Sequence, residues 1–137
     1  MNLFADTSGW IALFNLRDKY HSRAREGIRT LETQEVEFVT TDYVLAETIT
    51  HLMNGVNHSA AIKFGNWVLS QPHVRILHVS ESLWDEAWLF FQQYDDKEFA
   101  FTDCASFVVM NQLKLRDAFT FDHHFEQMGF RLWPQQA

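Results

Sequence analysis

Four acidic residues stand at positions where a folded chain could bring them together: Asp6, Glu47, Asp103 and Asp122. Carboxylate oxygens are the hard ligands that Mg²⁺ and Mn²⁺ prefer, whereas a zinc site normally draws on His or Cys. Two divalent ions about 4 Å apart can activate a water and stabilise the leaving oxygen of an in-line phosphoryl displacement, without a covalent nucleophile. If the four residues converge, they favour metal-dependent hydrolysis of a phosphate ester.

The elements that must position these acids can be predicted from the hydrophobic pattern. Asp6 follows an apolar run over residues 2–5, and Asp122 follows another over residues 118–121, both typical of short strands. In open parallel sheets, sites lie beyond the carboxyl ends of the strands, at a topological switch point. If the two strands are neighbours, both carboxylates therefore project into one crevice. Asp103 falls in the first turn of a predicted helix, where the helix dipole favours its ionised form, and Glu47 lies about one turn into another helix.

Strand and helix patterns alternate along the whole chain. Thr7 or Ser8 is predicted to cap a helix through Asn15, Asp42 a helix that ends at Gly55, and Thr102 a helix over residues 103–113. Further strands are predicted at residues 36–40, 74–79 and 130–133, and further helices at residues 17–31, from Asn57 or Ser59 to residue 69, and from Ser80 or Ser82 through residue 91. This order predicts a three-layer α/β/α sandwich with a mostly parallel central sheet.

The length of 137 residues fits one domain, and we expect a single unit over residues 1–137. Cys104 is the one cysteine, so no intramolecular disulfide can form. With no signal-peptide pattern, this predicts a cytoplasmic protein. No apolar run approaches the ~20 residues needed to cross a bilayer. The helix start would lower the pKa of the Cys104 thiol, but no partner spacing indicates catalysis, and we interpret it as a packing residue.

The formal charge of −7, from 11 Lys and Arg against 18 Asp and Glu, is unusual for a nucleic-acid binder, because Lys and Arg normally supply affinity for phosphates. Either nucleic acid is not the partner, or bound cations neutralise carboxylates; two divalent ions would add +4 and bring −7 to −3. The candidate nucleic-acid-binding segment is a basic run that follows the helix beside Asp6; a solvated face of an amphipathic helix remains the alternative. The run contains Arg17, Lys19, His21, Arg23, Arg25 and Arg29.

Four segments carry a family resemblance. Residues 3–8 (LFADTS), 45–48 (LAET), 101–106 (FTDCAS) and 120–125 (TFDHHF) resemble the four acidic blocks of the PIN domain, in order and at family-like separations. The resemblance covers nearly the whole chain and is greatest for the VapC group, the ribonuclease toxins of type II toxin–antitoxin pairs. It implies a PIN-like fold and a Mg²⁺- or Mn²⁺-dependent endoribonuclease that cleaves RNA, forms a homodimer and binds an antitoxin.

The resemblance also implies roles for individual residues. Asp6, Glu47, Asp103 and Asp122 would be metal ligands, directly or through water. Two hydroxyl residues, Thr7 and Ser8, would hold a metal-bound water or a phosphate, and Thr120 would brace the site. Asp96 occupies a region where the family often carries another acid, but we assign it no ligand role.

Other functions fit the residues less well. A haloacid-dehalogenase-like phosphatase needs a second Asp two residues after the first, where Ser8 stands, and a dinucleotide-binding protein needs a G-x-G-x-x-G turn, whereas Gly9 is alone. A zinc site at His123 and His124 lacks further spaced ligands, so we interpret both as surface or supporting histidines. A stand-alone RNA-processing nuclease and a non-catalytic, PIN-like protein-binding module stay open.

The predicted helix through residue 91 is unusually apolar. Trp84, Trp88 and Phe91 recur at helical spacing, which is more typical of core packing than of a base-stacking platform. The helix nevertheless holds more apolar side chains than one buried stripe needs. We therefore expect part of this surface to remain exposed and to serve a protein interface.

Overall fold

Five short segments form one parallel sheet in the computed structural model, which describes residues 1–135. The strands are β1 (Asn2–Ala5), β2 (Glu37–Thr41), β3 (Val74–Leu77), β4 (Asp117–Phe119) and β5 (Arg131–Trp133). Their order across the sheet is β3-β2-β1-β4-β5, and every neighbouring pair is parallel. The predicted mostly parallel sheet is thus confirmed. The last two residues of the predicted domain, Gln136 and Ala137, lie outside the described residues.

Helices cover both faces of the sheet. They are α1 (Thr7–Phe14), α2 (His21–Arg29), α3 (Asp42–Gly55), α4 (His58–Ser70), α5 (Glu81–Gln93), α6 (Phe101–Gln112) and α7 (His124–Gln127). Parallel connections are right-handed, so the path from β1 to β3 places α1 to α4 on one face, and the return to β4 and β5 places α5 to α7 on the other. The three-layer prediction is confirmed.

Aromatic side chains form the core on each face of the sheet. On the α1 face, the ring of Trp10 lies 5.7 Å from that of Phe38 and 6.1 Å from that of Phe119. On the opposite face, Phe125 of α7 lies 4.8 Å from Phe107 of α6. These buried rings fix the helices against the strands that end at the site.

The strand order reverses between β1 and β4, because β1 leads to a helix on one face and β4 to a helix on the other. The two strands are neighbours, as the interpretation of Asp6 and Asp122 requires. Helix α1 packs very close to β4 at Gly9: a Cβ there would collide with the carbonyl and ring of Phe119. The missing side chain therefore lets the first turn of α1 lie beside the residues that follow β4.

Several helix starts differ from the prediction. The hydroxyl of Thr41, not the carboxylate of Asp42, caps α3 by accepting from the Val44 amide at 3.1 Å. Asp42 instead accepts from the Val79 amide at 2.9 Å, which ties α3 to the chain after β3. The N-cap of α6 is Ala100, so the predicted cap at Thr102 was wrong.

The predicted hydroxyl cap of α1 from Thr7 or Ser8 was also wrong, because α1 begins directly after Asp6 and has no side-chain cap. The Asn57 and Ser80 caps are confirmed for α4 and α5.

Two further elements are shorter than predicted. Helix α2 begins only at His21, because the carboxylate of Asp18 accepts from the Tyr20 amide in a turn at 2.9 Å. Strand β4 ends at Phe119, so Asp122 lies three residues beyond the strand rather than directly at its end. None of the helices in residues 1–135 is long and apolar enough to cross a membrane.

The aromatic face of α5 is exposed. Trp84, Trp88 and Phe91 retain 41%, 44% and 41% of their accessible surface, and Leu89 retains 65%. The prediction that the three rings pack in the core was wrong, because helical spacing cannot distinguish an inner from an outer apolar face. They stack along the helix and contact Phe101 at the start of α6. The expected leftover apolar surface is present.

Candidate active site

The carboxylate of Asp6 lies directly after β1 and is almost fully buried. Its Oδ2 accepts hydrogen bonds from Thr120 Oγ1 at 2.9 Å and Ser8 Oγ at 3.2 Å. The two hydroxyl oxygens are 2.9 Å apart, and Ser8 Oγ also accepts from the Phe121 amide at 2.9 Å. Ser8 and Thr120 therefore orient Asp6 across the junction between β1 and β4.

A second group forms between α6 and the turn after β4. Asp103 is buried in the first turn of α6, where its Oδ2 accepts from the Ala100 amide at 3.1 Å. Asp122 is half-buried; its amide donates to Thr120 Oγ1 at 3.0 Å, and its Oδ1 accepts from the His124 amide at 2.9 Å. The ligand-type atoms of Asp103, Asp122 and His124 lie within 4.8 Å of one another.

The charges of these acids act on one another. Burial, followed by the nearby charge of Asp103, raises the pKa of Asp6 to about 7, although hydrogen bonds from Thr120 and the Thr7 amide oppose the rise. Burial, followed by the charges of Asp122 and Glu47, raises the pKa of Asp103 to about 7. The expected effect of the helix dipole on Asp103 is thus outweighed. Asp103 therefore interacts electrostatically with each of the other three acids.

Glu47 lies on the side of this site. It is half-buried in the second turn of α3, where a shallow depression brings it and Tyr43 together with Thr102 of α6. Thr102 directly precedes Asp103, so Glu47 lies beside the segment that carries Asp103.

The donor set fits a divalent cation. Within residues 1–135, the buried side-chain polar atoms without a hydrogen-bond partner are Thr7 Oγ1 and His124 Nδ1, and both flank the acids. Buried polar atoms are normally paired, so two unpaired atoms beside these acids suit a site that binds a ligand. Among the described ion pairs, none joins a Lys or Arg to the four acids. Concentrated, uncompensated carboxylates with free oxygen donors suit Mg²⁺ or Mn²⁺.

Comparison with known proteins identifies the family of this chain. A family model described as the PIN domain matches residues 3–131. The chain belongs to the PIN domain family. It is 35% identical over 128 residues to the 23S rRNA-specific endonuclease VapC20 of Mycobacterium tuberculosis. The aligned region covers 93% of this chain and 95% of that protein. The predicted family resemblance is confirmed.

Two solved structures share the PIN architecture. The crystal structure of Mycobacterium tuberculosis VapC20, described as a sarcin-ricin loop cleaving toxin, matches with a TM-score of 0.85 and 34% identity over 93% of this chain and 95% of that chain. VapBC2 from Rickettsia felis, bound to a DNA fragment from its promoter, matches with a TM-score of 0.69 and 13% identity over 96% of this chain and 97% of that chain, which shows the fold alone.

Part of the predicted basic run lies beside the acids of this PIN domain. The ring of Phe121, which directly precedes Asp122, stacks on that of Tyr20 at 4.6 Å. The guanidinium of Arg23 lies 5.8 Å from the Phe121 ring, and Lys19 Nζ lies 4.9 Å from the Tyr20 ring. The remaining predicted residues are not brought into these contacts: Arg25 is exposed on α2, and Arg17 lies near the start of α4.

The structure also places residues that sequence reasoning treated differently. His124 lies among the acids although we predicted a surface or supporting role; its closeness in sequence to Asp122 was the available signal. Asp96 is exposed and pairs with Lys97 at 3.8 Å, so it lies outside the site. Cys104 is buried, as its packing role predicts, but burial raises the pKa of its thiol to about 11, opposite to the predicted direction.

Proposed function

We propose that this PIN domain is a metal-dependent endoribonuclease that hydrolyses RNA phosphodiester bonds and acts as the toxin of a type II toxin–antitoxin pair. The observation that carries the proposal is the meeting of Asp6, Asp103 and Asp122, with Glu47 beside them, at the switch point of the sheet. The similarity to the endonuclease VapC20 over most of both chains supports the same activity. We further propose that residues 1–137 form one nuclease domain.

Each part of the site has a task in this proposal. Asp6, Glu47, Asp103 and Asp122 would hold Mg²⁺ or Mn²⁺, directly or through water. Such an ion, when bound, polarises the phosphate and makes water a better nucleophile. The hydroxyls of Ser8 and Thr120 keep Asp6 oriented. The unpaired hydroxyl of Thr7 can bind a water or a phosphate oxygen.

The basic and aromatic groups beside the acids suit an RNA strand. Lys19 and Arg23 supply positive charge for backbone phosphates, and the exposed part of the Tyr20–Phe121 pair offers ring surface to a base. This local positive charge would favour RNA binding despite the net charge of −7. Arg17 and Arg25 would contribute to phosphate binding at the edge of this surface.

Ribosomal RNA is the substrate class we propose first, because VapC20 is specific for 23S rRNA. We therefore also propose that the protein acts in the cytoplasm. The direct experiment incubates the purified protein with 23S rRNA in Mg²⁺, in Mn²⁺ and in excess EDTA. We expect discrete cleavage with either metal, none with EDTA, and recovery when metal is added back. Equal cleavage in EDTA would contradict the proposal, and intact RNA in all conditions would favour the non-catalytic alternative.

We also propose two protein interfaces. The exposed apolar face of α5 would join two copies of the chain. Trp84, Trp88 and Leu89 form an apolar patch in contact with water, and burying such a patch in an interface is favourable. An antitoxin would occupy the groove beside the acids and place an Arg among the carboxylates, since guanidinium pairs well with carboxylate and competes with metal. A stand-alone nuclease would have neither partner.

A further inference from the structure

The imidazole of His124 faces the acidic cluster through one ring nitrogen. His124 Nδ1 lies 3.2 Å from Asp122 Oδ1 and 3.7 Å from Asp103 Oδ2. The nitrogen is buried, yet it makes no hydrogen bond, because its approach to Asp122 lies outside hydrogen-bond geometry. A buried nitrogen that faces two carboxylates without bonding to either lacks a partner, and a cation between the three groups would supply it.

Contacts on two sides hold the ring in this orientation. The backbone amide of His124 donates to Asp122 Oδ1 at 2.9 Å, which fixes the turn at the start of α7. The ring packs edge-on against the buried ring of Phe99, with centroids 5.3 Å apart and planes at 77°. His124 is therefore oriented toward the acids by packing and by a backbone hydrogen bond.

We propose that His124 Nδ1 is a metal ligand that binds the same divalent ion as Asp103 and Asp122, an inference that rests on the proposed metal-dependent function. With bonds of about 2.1 Å, adjacent ligands of a six-coordinate ion lie roughly 3.0 Å apart and opposite ligands roughly 4.2 Å apart. The separations of 3.2 Å and 3.7 Å fall in this range, and the third lies within 4.8 Å. Small rotations of the carboxylates would bring all three ligand atoms within reach of one ion.

A nitrogen ligand changes which metal the position selects. Mg²⁺ binds oxygen almost exclusively, whereas transition-metal ions accept imidazole readily. The position shared by Asp103, Asp122 and His124 therefore favours Mn²⁺ over Mg²⁺. The neighbouring His123 is exposed and lies outside this group, which makes it a matched control.

The test uses Mn²⁺ alone as a spectroscopic probe of the full chain. Electron spin-echo envelope modulation of the Mn²⁺-bound protein detects a directly coordinated nitrogen, and labelling the histidines with ¹⁵N identifies its source. We expect nitrogen coupling in the wild type and in His123→Ala, and its loss in His124→Ala and in His124→Gln. Competition with Mg²⁺ gives the second readout: His124→Ala should weaken Mn²⁺ binding about 10- to 100-fold and change Mg²⁺ binding by less than about 3-fold.

The outcomes separate this inference from the proposed function. Mn²⁺ binding and RNA cleavage without nitrogen coupling would overturn the His124 ligand and leave the nuclease intact. Coupling that persists in His124→Ala would also overturn it. No Mn²⁺ binding by the wild type would overturn both. If both His124 variants fail to fold, the test rests on the wild type and His123→Ala. Coupling to ¹⁵N-histidine in both proteins supports the assignment, and no such coupling in the wild type contradicts it.

Discussion

At the scale of single residues, the raised pKa values of Asp6 and Asp103 predict how the metal-free protein responds to pH. Each carboxyl has a folded pKa of about 7, against an ordinary value of 3.8. Between these values, the folded state holds protons that the unfolded state has released, so the free energy of unfolding falls as pH rises. The stabilisation is fully present below about pH 4 and is lost by about pH 7.

Urea denaturation in chelating buffer measures this effect. Between pH 4.5 and pH 7.5, the wild type should lose more than about 1 kcal/mol of its free energy of unfolding relative to the Asp6→Asn, Asp103→Asn double variant. The reason is that one pKa unit corresponds to about 1.4 kcal/mol. All other titratable groups are the same in the two proteins, so their contribution to the pH dependence drops out of this comparison. A difference that stays constant across this range would contradict the burial of both charges.

At the scale of secondary-structure elements, Gly9 decides how closely α1 approaches β4. A side chain there meets the backbone of Phe119, which cannot move without disturbing the sheet. We expect Gly9→Ala to lower the free energy of unfolding by about 1–3 kcal/mol and to reduce RNA cleavage, because α1 carries Ser8 beside Thr120. Gly65→Ala is the matched control: it lies in α4 with open space around it, and we expect a gain of up to about 1 kcal/mol. Equal stability of the two variants would contradict this close packing.

The elements also show what the sequence could predict. Asp6 and Asp122 could be placed because parallel strands align their carboxyl ends, so the residues after β1 and β4 meet whatever their separation in sequence. The closeness of His124 to Asp122 follows from the sequence, but its contact with Asp103 could not be predicted, because that contact depends on the turn after β4 and on the ring of Phe99. The exposure of Trp88 could not be predicted either, because helical spacing defines an apolar face but does not show whether another element covers it.

At the scale of the whole molecule, the basic side chains of α2 beside the acids should determine the salt dependence of RNA binding. Arg23→Ala with Arg25→Ala removes two cations from α2, and we expect weaker binding and a salt slope lower by about 1.5, with unchanged metal binding. Lys114→Ala with Arg116→Ala is the control, because these exposed residues precede β4 at the opposite end of the sheet. An equal loss of slope in both variants would mean that RNA affinity comes from overall charge.

The exposed face of α5 predicts the oligomeric state. Light scattering at micromolar concentration should give about twice the monomer mass of 16.2 kDa. Leu89→Glu should release monomers, because a charge cannot be buried in an apolar interface without a large cost. Leu69→Glu should remain dimeric, since Leu69 is 72% exposed on α4, in the opposite helix layer. A monomeric wild type would contradict the interface.

The central claim, that Asp6 and Asp103 hold the metal with which this PIN domain cleaves RNA, is tested most directly by charge-removing variants assayed on one RNA substrate. Asp6→Asn and Asp103→Asn keep side-chain size, and Asp96→Asn removes the same charge at an exposed position outside the site. Metal-assisted stabilisation supplies several kcal/mol, so we predict at least about a 100-fold loss of cleavage rate for the first two variants, with weakened Mn²⁺ binding by calorimetry, and a wild-type rate for the third. Wild-type cleavage and metal affinity in either Asp6→Asn or Asp103→Asn would contradict the account.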